Sequence, residues 1–175
     1  MGMVLIKERT IVRWLIALTG LTWSLMACGE EAIAVITGQT SPAIGFDRAN
    51  LQDIFLKRIR VDDARAALVP LNLSPTNPLR VAFSMSLLGE RPEAMQRYWT
   101  ERYFHGISPP YSVNSQESML RFVADTPGAI GYVLNCRVDD RVRVIAKLPI
   151  PAELTSQIRP LCEKSERDSG IEQHE

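Results

Sequence analysis

Seven consecutive residues, Ser74-Pro75-Thr76-Asn77-Pro78-Leu79-Arg80, gather the side chains best suited to holding an anion. Asn77 before Pro78 is a favoured helix start, with an amide-oxygen cap followed by a residue whose φ is preset for the first turn. A helix start offers backbone N–H groups and the positive end of the helix dipole. Arg80 adds a fixed charge and a fork of donors. Ser74 and Thr76 bring hydroxyls just upstream. The chemistry expected is capture of a small oxyanion by Ser74, Thr76, Asn77 and Arg80. Pro78 removes one N–H that such an anion would use. A capped helix with a surface arginine accounts for the same residues without a ligand.

Other chemistry finds little support. The two histidines, His105 and His174, stand apart. No Ser or Cys has a base partner or a nucleophile-elbow context, and there is no P-loop. Asp62-Asp63 and Asp139-Asp140 lie beside arginines and read as solvated loops. No His or Cys sits at metal-ligand spacing, so neither metal nor cofactor is expected. No basic run is interleaved with aromatics, which argues against nucleic acid. A non-enzymatic protein is expected.

The N-terminus reads as an export signal. Lys7, Arg9 and Arg13 precede an uncharged, mostly apolar stretch from Trp14 to Ala27, nearer a signal-peptide core than a membrane span in length. The stretch ends in Leu25-Met26-Ala27-Cys28-Gly29, which resembles a bacterial lipobox and predicts cleavage after Ala27 with lipid on Cys28. An uncleaved anchor and an ordinary signal-peptidase site are the alternatives. The expected division is a signal peptide over 1–27, a linker over 28–31, one lobe over 32–162 and a polar, disordered tail over 163–175. The mature chain carries 17 basic and 19 acidic side chains, close to neutral. Cys136 and Cys162 either pair, stapling the tail to the lobe, or stay as free thiols.

The elements that position these residues alternate. Ala32–Ile36, Ala67–Leu71, Tyr111–Val113 and Arg141–Leu148 read as strands. Helices are expected from Leu51 (capped by Asn50) to Arg58, from Pro78 to Leu88, from Pro92 to Phe104, and from Asn114 or Ser115 to Asp125. Pro70 suggests that its strand lies at an edge or ends there. Tyr98, Trp99, Tyr103 and Phe104 suit helix packing and the core. The unit Thr126-Pro127-Gly128-Ala129-Ile130-Gly131-Tyr132-Val133 is a turn and a buried strand. Gly131 inside it marks a close approach by a ligand or another backbone. Short links between strands and helices predict an α/β domain with a mixed sheet.

Taken in order, the strand Ala32–Ile36, Leu51-Gln52-Asp53-Ile54-Phe55-Leu56-Lys57, the segment Arg80-Val81-Ala82-Phe83 and the run from Val123 to Val133 resemble the second lobe of phosphate ABC transporter substrate-binding proteins. The resemblance covers roughly 32–147. It implies the type 2 periplasmic binding fold, a location in the periplasm, a membrane attachment through lipid, and work with an ABC permease. Family members carry a Ser-Gly-Thr loop at the helix start, where this chain has Asn77-Pro78-Leu79. They also have a first lobe before the segment that Ala32 begins, where this sequence has the export signal. A single lobe that binds phosphate or another small oxyanion weakly is therefore expected. The alternative is an envelope interaction module that has lost solute binding and contacts a partner protein or itself. An exposed patch with Trp99, Phe104 or Tyr111 would favour it.

Overall fold

Strands β1 (Ala32–Gly38) and β4 (Ala129–Leu134) are buried along their whole length. A sheet covered on both faces requires this, and it explains why neither strand alternates in polarity. The computed structural model describes residues 31–41 and 47–170. The expected export signal, Cys28 and residues 29–30 of the expected linker lie outside the described residues, as do 42–46 and 171–175. Between and after these strands come α1 (Arg48–Phe55), β2 (Val69–Leu73), α2 (Pro78–Leu88), α3 (Gln96–Phe104), β3 (Tyr111–Val113), α4 (Gln116–Asp125), β5 (Val142–Pro149) and α5 (Thr155–Gly170). The strand order is β3-β2-β4-β1-β5. β2 runs parallel to β3 and β4, whereas β1 is antiparallel to β4 and β5. The domain is a mixed α/β sheet flanked by helices.

Alternation along β4 sorts the layers, because successive side chains leave a strand on opposite faces. Tyr132 stacks on Phe83 of α2 with centroids 3.7 Å apart, and Phe55 of α1 meets Phe83 edge-on at 4.7 Å. Gly131, one residue away, faces α4. A Cβ built on it would come within 2.4 Å of Met119 Sδ and 3.0 Å of Val123 Cγ2. The close approach expected at Gly131 is therefore made by side chains of α4, not by a ligand or a backbone. Gly128 serves the turn before it, with φ at 75° and the carbonyl of Ala67 where a side chain would begin.

Several boundaries differ from expectation. Asp47, not Asn50, caps α1: its Oδ1 accepts the Asn50 N–H at 2.7 Å, and the helix starts at Arg48. β2 begins two residues late because Ala67 instead bridges Val61. β2 also lies inside the sheet despite Pro70. The Val69 N–H donates to Gly128 on the β4 side, so the position of Pro70's missing donor faces the other way, and pairing with β3 starts only at Leu71. Helix α3 begins at Gln96, since 91–96 make turns with i→i+3 bonds and Met95 offers no side-chain cap. Helix α5 runs to Gly170, past the point where polar composition predicts a frayed tail. Its first turns are held by buried Leu154 and Ile158 and by a Cys136–Cys162 disulfide with Cα atoms 5.9 Å apart.

Candidate anion-binding site

The C-terminal ends of β2, β3 and β4 lead into the starts of α2 and α4 and a short turn at Asn135–Arg137. Parallel strands deliver their following elements to one edge, and ligands of open α/β sheets bind there. A cleft of about 570 Å³ opens at this edge, lined among others by Asn77, Ser115, Gln116, Glu117, Arg137 and Asp139. Two helix N-termini border it. Asn77 Oδ1 accepts the Leu79 N–H at 2.9 Å, and Ser115 Oγ accepts the Ser118 N–H at 3.0 Å. Gln116 reaches across to the Leu134 N–H at 2.7 Å, tying α4 to the end of β4.

The four residues singled out by their types are not brought to one place. Asn77 lines the cleft. Ser74 and Thr76 share the same loop, with hydroxyls 3.1 Å from each other. Arg80 is buried, at 6% exposure, and donates to Asn72 Oδ1 at 2.6 Å. It lies beside Tyr132, whose hydroxyl accepts the Leu73 N–H at 3.0 Å. Burial pushes that hydroxyl up to about 12, and the Arg80 guanidinium offsets part of the rise. Among the described residues no carboxylate forms an ion pair with Arg80. With Pro78 lacking an N–H and the Leu79 N–H taken by the cap, the start of α2 has few donors left.

The acidic rim is neutralised. Arg141 forks onto Glu117 with N–O distances of 2.9 and 3.0 Å and also donates to Asp139, while Arg121 reaches Glu117 at 2.9 Å. Hydrogen bonds from Arg141 and then Arg121 hold Glu117 down to about 2, and Arg141 lowers Asp139 as well. Asp139 is thus part of an ion cluster rather than a solvated loop. By contrast Asp62 does build a turn, accepting the Ala66 N–H at 2.7 Å. Arg137 is the cleft residue that residue types did not reveal. Its Nη2 donates to Leu161 O at 3.1 Å, its Nε is buried with no partner, and no carboxylate among the described residues pairs with it. The available signal was positional: Arg137 is the first cation after an apolar strand, where α/β sheets place ligands.

No protein-family model and no curated protein matches the chain. Solved structures do. A Clostridium perfringens protein described as a phosphate ABC transporter substrate-binding protein, with phosphate bound, is 20% identical at TM-score 0.55, over 66% of this chain and 44% of its own. An ABC-type phosphate transport receptor from Vibrio cholerae is 16% identical at TM-score 0.54, over 66% and 45%. PstS from Borrelia burgdorferi is 15% identical at TM-score 0.51, over 70% and 48%. The fold is that of a periplasmic-binding-protein-like lobe. The chain spans less than half the length of each of these structures.

Proposed function

We propose that this chain is an exported, lipid-anchored, non-enzymatic binding lobe that takes a small oxyanion such as phosphate weakly at the cleft beside α2. The observation that carries this reading is Arg137, a cleft cation without a carboxylate partner beside two helix starts. Asn77 faces the same cleft, with Ser74 and Thr76 next to it in the loop. Arg80 serves from behind, as a buried positive charge that fixes Asn72. The likeness to phosphate-binding proteins supports the class of ligand. Binding by this lobe alone is weak in this reading, because an open cleft leaves the anion partly in water. Partnership with an ABC permease and a location in the periplasm go with the same reading.

The test is calorimetry and thermal unfolding of the full chain with phosphate and with sulfate. At about ten times the Kd, the midpoint should rise by about 3–6 °C, and Arg137→Gln should abolish the rise. Absence of heat and of any shift at tens of millimolar anion sinks the proposal. A second reading, an interaction module of the cell envelope, is favoured by the exposure of Phe104 at 82% and Tyr111 at 67%.

A further inference from the structure

Helix α3 has no buried residue, and its aromatic face borders a groove of about 520 Å³. Pro75, Pro92, Trp99, Tyr103, Phe104 and Pro109 line it. Tyr103 is 68% and Phe104 82% exposed. The spacing of Trp99 to Tyr103 places both rings on one side of the helix. The helix is fastened elsewhere, through Tyr98 and through Arg102, whose Nη2 donates to Lys57 O at 3.2 Å. The Tyr98 hydroxyl donates to Leu56 O at 2.8 Å, and the Arg58 and Arg102 guanidinium carbons lie 6.0 and 5.9 Å from its ring. Trp99 meets Tyr98 edge-on at 4.9 Å, whereas packing within the lobe does not require Tyr103 or Phe104.

We propose that this groove docks a short, extended, proline-rich segment of a partner protein, with a basic side chain against Glu93. The proposal rests on the interaction-module reading and names the partner class. Size argues for a segment. The exposed parts of Tyr103 and Phe104 present on the order of 300 Å² of mostly apolar surface. A stable dimer or globular partner needs about 800 Å² on each side. Chemistry argues for proline. Rigid aromatic and proline walls suit a polyproline II strand, which has little conformational entropy to lose and no internal backbone bonds to break. Charge argues for a basic side chain, because Glu93 is the charged residue of the lining and forms no ion pair among the described residues.

The probe is a fluorescein-labelled ten-residue peptide with repeated proline and one arginine, titrated with the full chain and followed by anisotropy. A proline-free peptide of equal charge is the control. Saturable binding at about 10–100 µM is expected for the first peptide alone. Phe104→Ala should weaken it about tenfold, and Glu93→Gln about threefold with a flatter salt dependence. Both side chains are exposed, so neither variant threatens the fold. Sedimentation of the unliganded chain and binding to phosphatidylglycerol vesicles complete the set. No peptide binding up to about 1 mM, or binding indifferent to Phe104→Ala, overturns the proposal. If self-association or vesicle binding then proves sensitive to Phe104→Ala, the interaction-module reading stands without the peptide. If neither does, that reading falls too.

Discussion

Helices α2 and α3 follow one another in the chain, α2 opening on Pro78 and α3 starting four residues after Pro92, and the lobe treats them oppositely. Eight of the 11 residues of α2 are buried, including the polar Arg80, Ser84 and Ser86, while α3 buries none of its nine. α2 has an amide cap at Asn77 and a left-handed glycine stop at Gly89. α3 has no side-chain cap at its start, and the residue that caps its end, His105, is exposed. Aromatic content runs against this outcome, since α3 holds four aromatic side chains and α2 one, but α2 is otherwise mostly apolar, whereas five of the nine residues of α3 are polar or charged. What separates them is their neighbours. α1 and the sheet close over α2, with Gln52 reaching the Leu87 carbonyl at 2.6 Å and Arg48 reaching that of Ser86. α3 is fastened by two polar contacts, from Tyr98 to Leu56 O and from Arg102 to Lys57 O. Burial thus follows from overall apolar content together with what a helix packs against, and aromatic rings alone do not secure it.

The largest effect is expected where α2 meets the sheet. Phe83 is fully buried between Phe55 and Tyr132. Phe83→Ala removes a stacked ring and leaves a cavity, so urea unfolding should show a loss of about 3–5 kcal/mol. A loss below about 1 kcal/mol would mean that α2 is no better anchored than α3, and the contrast would fail.

The contrast also marks what was legible from residues alone. Capping chemistry placed α2 from Pro78 to Leu88, because Asn-Pro at one end and Gly at the other are local signals that need no tertiary partner. Tyr111–Val113 and the buried run at β4 were equally local. The fate of α3 was not, because four rings in nine residues suit either a core or an exposed face, and only the packing of the rest decides. The site divides in the same way. Asn77 was visible as a cap. The inward course of Arg80 depends on Asn72 and Tyr132, which lie eight and 52 positions away in the sequence. Arg137 and the Arg141–Glu117 fork are products of strand order, which no spacing along the chain encodes.

A middle-sized effect should come from the polar contact beneath α2. Tyr132→Phe keeps the ring and removes the oxygen that receives the Leu73 N–H. An unpaired buried N–H costs about 1–3 kcal/mol, seen in urea unfolding at neutral pH. The same variant separates the alkaline behaviour. Tyr132 keeps its proton to about 12 when folded, against about 10 when unfolded. Its contribution is therefore complete below pH 10 and is lost as pH rises through 10 to 12. The wild-type chain should lose stability across that window, and Tyr132→Phe should lose measurably less. Parallel decline of the two would show that Tyr132 is not the group responsible.

The smallest effects belong to α3, and they bear most directly on whether it is a separate unit. Tyr98→Phe deletes the hydroxyl bond to Leu56 O and leaves the ring between Arg58 and Arg102. Because α3 buries no residue, opening it exposes little new apolar surface, and it can open while α2 stays closed. Tyr98→Phe should therefore speed hydrogen exchange of the α3 amides about fivefold, through the loss of about 1 kcal/mol of local stability. Amides of α2 and β4 should exchange unchanged, and global unfolding should move by less than about 0.5 kcal/mol. Phe104→Ala should alter neither, since its ring is 82% exposed. If Tyr98→Phe instead slows or speeds α2 and α3 together, the two helices form one cooperative unit. The freedom of α3 would then be a matter of exposure only, and a segment docking on it would be felt throughout the lobe.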